Sequence, residues 1–388
     1  MPTYPQKKDV ELSILIPCFN EEKAVVFCLD QIKETIKKNN LSAEVICVDN
    51  ASTDRTKERL QKYKESFEEL QIVSEPVLGY GSAYLRGFNI MQGKYIFMAD
   101  CDGTYNFKEI PLFLEKLRDG SDLVVGNRFH SKLESGVMPW LHRVIGNPLL
   151  SFITKLFFKI EIHDIHCGAR AISRKALEKI TLYTKGMEFA SEMIIKCARQ
   201  NLKIVEIPVS YHKRIGKSKL NSFSDGWRHL RFLLLYSPLF LFFIPGIILF
   251  IIGLLSLLAI YFFEIKIFGI QLYFHPMFLS SLILSSGYQL IFFAGFARTY
   301  AITHLGDHDS FLEPLYKKIT IEKAGLLGLI SITVGCTIYI YIFVKWIHSG
   351  FGSLDEIKNS IVALTLLTLG IQTFFSAFML SILGIKEK

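Results

Sequence analysis

The stretch GKYIFMADCDGTYNF, residues 93–107, decides the fold. An apolar run, Tyr95-Ile96-Phe97-Met98-Ala99, stops at two carboxylates one residue apart, Asp100 and Asp102. Paired negative charge at the edge of a core needs a positive partner, because unpaired carboxylates are costly where water is scarce. An isolated Asp-x-Asp is ordinarily a turn or helix cap, and Asp102-Gly103-Thr104 suits one. The functional reading is a divalent metal, Mg²⁺ or Mn²⁺, held by hard oxygen ligands and shared with a substrate diphosphate.

The surroundings of this stretch decide between the two. Short β-rich runs occur at 12–16 (LSILI), 44–48 (EVICV), 70–74, 95–99 and 122–125. Helical spacing fills 21–38, 53–66, 80–91 and 109–118. Strands alternating with helices predict an α/β domain with a mostly parallel sheet covered on both faces. Such sheets bind ligands beyond the carboxyl ends of their strands. Three of those ends are polar here: PCFNEE at 17–22, VDNASTD at 48–54 and DCDGT at 100–104. Together they predict one site, with Asp49 placed to hydrogen-bond a base or ribose.

Half of the 388 residues are hydrophobic, and the excess lies after Phe232. Residues 232–263, 276–297, 324–344 and 359–385 hold no charged side chain. Each is long enough to cross a bilayer core, which takes about 20 apolar residues. The chain therefore reads as a globular domain over 1–230 and a helical membrane domain over 231–388. Four spans are expected near 238–263, 276–300, 324–346 and 359–384. Pro238 and Pro245 mark where the chain turns into the bilayer. Arg298, Lys317, Lys318 and Lys323 between the second and third spans, with Lys386 and Lys388 in the tail, place both termini in the cytosol. A polar beginning without a signal-peptide core agrees. The spans offer no carboxylate or histidine relay, so transport by these helices alone is not expected.

Seven cysteines without metal spacing read as free thiols of a reducing compartment. The net charge of +8 suits a membrane surface or phosphorylated substrates. Nucleic-acid binding has only that charge in its favour. Basic residues gather at Arg128 in VVGNRF, at Arg143 in MPWLHRVIGNPLL, and in HKRIGKSKLN, which holds Lys213, Arg214, Lys217 and Lys219. The apolar segments 139–160 and 222–237 are expected to lie at the membrane interface.

In order, ILIPCFNEE, VDNASTD, ADCDGTY, GNRF, MPWLHRVIGNPL, DIHCGARAI and RIGKSKL resemble family 2 glycosyltransferases. The resemblance covers about residues 10–230 and is closest to the branch that glycosylates polyprenyl phosphates. It implies a GT-A fold, a nucleotide-sugar donor, Mg²⁺ or Mn²⁺, a polyprenyl phosphate acceptor and inversion at the anomeric carbon. By the same resemblance Pro17, Phe19, Glu21 and Asp49 contact the nucleotide, and Asp100, Cys101 and Asp102 hold metal and diphosphate. Arg128, Arg143 and Asn147 grip the acceptor phosphate, Lys213 and Lys219 close over the donor phosphates, and Asp164 is the candidate base. Asn50 stands where many relatives carry a second Asp, and Thr104 where mannose synthases tend to carry Gln. The second departure weakens a mannose assignment, and MPWLHRVIGNP with DGTY resembles the bacterial glucose-type enzymes, so UDP-glucose is the expected donor, with GDP-mannose or UDP-GlcNAc as the alternatives. A bacterial plasma membrane is the expected setting, and assembly with further copies is left open.

The sequence also admits two rival readings. A processive polysaccharide synthase would carry QxxRW before the membrane, and DGWRHLRF at 225–232 lacks the glutamine. A scaffold that binds nucleotide-sugars without catalysis would not require both Asp100 and Asp102.

Overall fold

The computed structural model describes residues 10–130, 137, 140, 142–158, 160–216, 222–267, 270–304 and 321–384. The chain divides into two compact units, Met1–Leu233 and Leu234–Lys388.

The first unit is built on a seven-stranded sheet. Its strands are β1 Leu12–Cys18, β2 Ala43–Asp49, β3 Leu70–Ser74, β4 Tyr95–Met98, β5 Leu123–Asn127, β6 Arg170–Ser173 and β7 Ile204–Pro208. They are arranged β3-β2-β1-β4-β6-β5-β7. The inner strands β1, β2 and β4 are buried along nearly their whole length. Such continuously apolar strands are what a sheet covered on both faces requires. The helices α1 Val25–Lys38, α2 Thr56–Lys64, α3 Tyr80–Phe88 and α4 Ile110–Arg118 connect the strands. In α1 the buried positions Val25, Cys28, Leu29, Ile32 and Ile36 recur every three or four residues, the stripe by which a helix seats on a sheet.

The chain leaves β1 toward β2 and β3 on one side, then returns to place β4 on the other side of β1. The order reverses between β1 and β4, and the crevice outside their carboxyl ends is where such sheets take ligands. The runs PCFNEE and DCDGT sit on either side of that switch point.

Two features depart from the expected pattern. The helix after β1 starts at Val25, four residues later than its spacing suggests, because residues 20–22 are drawn into hydrogen bonds with the loop after β2. The strand β6 is antiparallel to both β4 and β5. Its first residue, Arg170, therefore stands beside Met98, the last residue of β4. The segment before β6 is thus delivered to the acidic pair. The unit also holds α5 Asn147–Phe158, α6 Arg174–Lys179 and α7 Phe189–Arg199, and α8 Ser222–Leu235 runs across its boundary at Leu233.

In the second unit, helices α9 Ile244–Phe262, α10 His275–His304, α11 Ile321–His348 and α12 Ile357–Leu383 are the long elements. Four helices here, over Leu239–Phe262, His275–Thr303, Glu322–His348 and Ile357–Leu383, are long and apolar enough to cross a membrane. The chain breaks after α8 and resumes at Pro238 with a π-helical turn, Leu239–Phe243, that runs directly into α9, whose first turn holds Pro245. Helices α9 and α10 touch backbone to backbone at Gly253, where a Cβ would lie 2.4 Å from Leu284 N. Hydroxyl pairs then link the helices: Ser256 with Ser280 at 2.9 Å, Ser281 with Thr365 at 2.6 Å, and Tyr288 with Thr373 at 2.7 Å. Small residues and interhelical hydroxyls are what holds helices together in lipid, where apolar contact alone gives no preference for protein over lipid.

Candidate active site

The loop after β1 is fastened to the loop after β2 by hydroxyl and carboxylate acceptors. The Asn20 N–H donates to Ser52 Oγ at 3.0 Å, Glu21 N–H to Thr56 Oγ1 at 2.8 Å, and Glu22 N–H to Asp54 Oδ2 at 3.1 Å. In return Asn20 Oδ1 accepts from Thr53 N–H at 2.7 Å. Asn20 takes a left-handed φ of 51° to do this, a conformation that asparagine tolerates better than most residues. The Glu21 carboxylate is turned inward and nearly buried. Pro17 and Phe19, at the same strand end, are half-buried.

At the end of β2, Asp49 is buried and accepts from Ser52 N–H at 3.3 Å. It borders a cavity of about 350 Å³ shared with Lys57, Gln61, Lys64, Ile72, Val73 and Ser74. Its neighbour Asn50 works as a clamp. The Asn50 amide donates to Glu75 O at 3.1 Å and Val77 O at 2.8 Å, and its Oδ1 accepts from Gly79 N–H at 2.8 Å. A carboxylate has no hydrogen to donate to those two carbonyls. The departure noted at position 50 thus has a structural reason in this chain.

Beyond the end of β4 the chain bends, and three neighbouring side chains go to different surroundings. Asp102 Oδ1 accepts from Thr104 N–H at 3.0 Å and Thr104 Oγ1 at 2.5 Å, the turn its sequence suggested. Its Oδ2 lies 3.0 Å from Arg214 Nη1. Cys101, expected among the nucleotide-sugar contacts, turns its side chain into the core. Hydrogen bonding with Cys18, together with burial, holds that thiol well above its usual range, and only its backbone is left for a ligand. Asp100 faces Gly168, where a Cβ would stand 2.5 Å from its Oδ2. Burial, then the Asp102 charge, push the Asp100 carboxyl up to about 6.

Two arginines answer this acidity. Arg214 donates from Nη2 to Glu21 Oε1 at 2.6 Å and meets Asp102 through Nη1, so it spans the switch point. Arg128 is engaged elsewhere: Nε donates to Asp164 Oδ2 at 2.7 Å, Nη2 to Oδ1 at 2.8 Å, and its backbone N–H to Oδ2 at 3.1 Å. Asp164 is wholly buried. Arg128 also lies over the Tyr211 ring, 5.2 Å from its centroid. The loop carrying Asp164 and Gly168 is tied down by Arg170, which donates to Cys167 O at 2.7 Å, Ile165 O at 3.1 Å and Ala190 O at 2.7 Å.

Of the residues expected at the site, Pro17, Phe19, Glu21, Asp49, Asp100 and Asp102 stand at neighbouring strand ends of one sheet. Arg128 and Asp164 are joined to each other. Arg143 is exposed on a single π-helical turn, His142–Gly146, that leads into α5, and Asn147 follows four residues on. Lys213 is exposed beside Arg214, while Lys219 lies outside the described residues. Arg170, Gly168 and the Asn50 clamp carry no role in the sequence reading, and Arg214 enters it only as one of the basic residues of its loop. The cluster HKRIGKSKLN pointed to cations near the site without distinguishing Arg214 from the lysines around it.

The donor set fits a hard divalent cation. The Asp102 charge is felt at Asp100, and the Asp102 oxygen not bonded to Thr104 draws a cationic group to 3.0 Å. Among the described residues no group of three or more His, Cys, Asp or Glu forms a complete ligand cage. A metal here would be completed by water and by phosphate oxygens of a substrate, the usual habit of Mg²⁺.

A protein described as low-salt glycan biosynthesis hexosyltransferase Agl6, from Haloferax volcanii, is 36% identical over 96% of this chain and 89% of its own length. The chain belongs to glycosyltransferase family 2. The family description "Glycosyl transferase family 2" matches residues 13–181, and "Glycosyltransferase family 2 C-terminal transmembrane region" matches 295–384. A dolichyl-phosphate beta-glucosyltransferase from Saccharomyces cerevisiae is 30% identical over 54% of this chain and 69% of its own length. Among solved structures, a glucosyl-3-phosphoglycerate synthase from Mycobacterium tuberculosis, in complex with Mn²⁺, UDP and glucosyl-3-phosphoglycerate, covers 59% of this chain and 80% of its own, with 19% identity and a TM-score of 0.47. This family 2 glycosyltransferase has the GT-A arrangement, a mostly parallel sheet, joined to a helical membrane region.

Proposed function

We propose that this enzyme transfers a hexose, from UDP-glucose in the first instance, to the phosphate of a polyprenyl phosphate at the cytosolic face of a membrane, with inversion. The observation that carries the reading is the pair Asp100 and Asp102 at the switch point, with Glu21 across the crevice and a cationic group already drawn between them. The relative that spans the chain is a hexosyltransferase, and the yeast relative is a dolichyl-phosphate glucosyltransferase. Carried to this chain, those names favour a hexose, a lipid phosphate and glucose. The first relative is archaeal, which leaves the expected bacterial setting without support from the comparisons.

In the reaction, one acceptor phosphate oxygen attacks the anomeric carbon as the bond to the nucleoside diphosphate breaks on the opposite face. Asp100 and Asp102 would hold Mg²⁺ or Mn²⁺. When bound, the metal offsets negative charge on the departing diphosphate. The nucleoside side of the cleft is assigned to Pro17, Phe19, Glu21 and Asp49, and the donor phosphates to Lys213 and Lys219. Arg128, through the Nη1 not bound to Asp164, grips the acceptor phosphate with Arg143 and Asn147. A phosphate monoester with a second pKa near ~6 is largely ionised at neutral pH, so no strong base is needed. Asp164, with both oxygens on Arg128, then serves by orienting that arginine. Leu149, Phe152 and Leu156 leave an apolar face of α5 exposed, which suits a helix lying in a lipid interface.

The test is direct. Membranes containing the enzyme are given labelled UDP-glucose, UDP-GlcNAc or GDP-mannose with Mg²⁺ or Mn²⁺, and the lipid is extracted. Label from UDP-glucose in an alkali-stable, acid-labile lipid phosphate is the expected result. Label from another donor reassigns the sugar, and label in no lipid with any donor overturns the proposal.

A further inference from the structure

Arg214 is not placed by chance contact. Residues 211–215 run alongside 102–105: the His212 N–H donates to Thr104 O at 2.8 Å, and Ile215 N–H to Asp102 O at 2.9 Å. Tyr105 and Tyr211 pair as an antiparallel bridge, their rings 5.4 Å apart. The turn beneath is closed by Gly103 at φ 78°, where a Cβ would meet Ile215 Cδ1 at 2.7 Å. This strap presents the guanidinium to both acidic loops at once.

Asp102 Oδ1 is committed to Thr104, so Oδ2 is the oxygen left for a cation, and Arg214 holds it. Yet the arginine is incompletely satisfied. Its Nε is buried without a hydrogen-bond partner among the described residues, and its two carboxylates each receive one nitrogen rather than a matched pair. A guanidinium that is charged at every relevant pH and imperfectly bound is suited to exchange.

We propose that Arg214 is the resident counter-cation of the acidic pair, and that a divalent metal must displace it from Asp102 Oδ2 to load. This rests on the metal reading of Asp100 and Asp102 given above. The exchange lowers metal affinity in the absence of nucleotide. It makes metal and nucleoside diphosphate bind together, since the diphosphate brings charge that the displaced guanidinium and the metal can share. A cleft preloaded with its own cation does not gather metal without substrate.

The experiment uses the full chain in detergent and reads Mn²⁺ binding by the electron paramagnetic resonance of free Mn²⁺, with and without UDP. Wild type, Arg214→Gln, Arg214→Lys and Asp102→Asn are compared. Without UDP, Arg214→Gln is expected to bind Mn²⁺ about tenfold or more tightly than wild type, and Arg214→Lys to stay near wild type. UDP should tighten Mn²⁺ binding less in Arg214→Gln than in wild type. Unchanged or weaker binding by Arg214→Gln, or equal tightening by Arg214→Lys, overturns the exchange while leaving the metal site standing, provided Asp102→Asn loses Mn²⁺. If wild type binds no Mn²⁺ even with UDP, or Asp102→Asn binds as wild type does, the metal reading itself falls and the exchange with it.

Discussion

Arg128 gives two side-chain nitrogens and its backbone N–H to a single carboxylate, Asp164, with 8% of its side chain exposed. Arg214 gives one nitrogen to each of two carboxylates on different loops, with 23% exposed. Both lie in the same unit, and both pair a guanidinium with acid. The first is closed: bidentate, dry, and held by a loop that Arg170 fixes from behind. The second is open, with unsatisfied hydrogen-bonding capacity on the arginine. Breaking a buried, geometrically matched pair leaves a stranded charge, at a cost of about 3–5 kcal/mol, whereas a pair with single, unmatched contacts can trade one partner for another cation without stranding either charge. The difference sorts acidic residues of one cleft into those that build it and those that can change partners.

The sharpest way to break this comparison is Asp102→Ala. If the open pair is the working one, formation of lipid-linked hexose should fall at least about a thousandfold, the scale of losing electrostatic stabilisation where charge develops. The residual rate should no longer respond to Mg²⁺ or Mn²⁺. A near-normal rate would put the metal elsewhere. Next comes Asp164→Ala, which strands Arg128. The folded unit should lose about 3–5 kcal/mol, read as a lowered thermal midpoint by fluorescence in detergent, and an unshifted midpoint would show that the pair is not closed after all.

Asn50→Asp probes the neutral counterpart of these ion pairs. It removes both donors to Glu75 and Val77, and about 1–3 kcal/mol should follow from the carbonyls left short, with weaker UDP binding. A variant as stable as wild type would show that the loop needs no clamp. The smallest effect belongs to Arg143, an exposed arginine with no ion pair among the described residues. Arg143→Ala should raise KM for the polyprenyl phosphate about tenfold, about 1.4 kcal/mol, and leave UDP binding unchanged. Equal loss for both ligands would move Arg143 away from the acceptor.

The four helices long and apolar enough to cross a membrane were readable because composition alone marks an uncharged run of that length. The inner strands were readable for a related reason: burial on both faces makes them continuously apolar, so β1, β2 and β4 stand out. The antiparallel β6 did not, being four residues long with an arginine at its first position. At the site, Asp100, Asp102 and Glu21 are local signals, each placed by the strand just before it. The partner of Glu21 lies 193 residues away, and no spacing rule reaches across such a distance. Arg128 and Asp164 were both singled out as functional residues. That they bind one another depends on β5 and β6 being neighbours, which is a property of the sheet and not of either motif.

The reversed direction of β6 has one more consequence, for anyone cutting this gene into smaller pieces. Both acidic side chains of the DCDGT run are encoded before residue 105, and a fragment ending there would still translate the recognisable signature. Yet the glycine that makes room for Asp100 comes at 168, and the arginine that neutralises Asp102 at 214. A truncated protein would keep the hallmark while leaving out the floor and the counterweight of its own cleft, so the shortest functional catalytic piece has to run past Ile215.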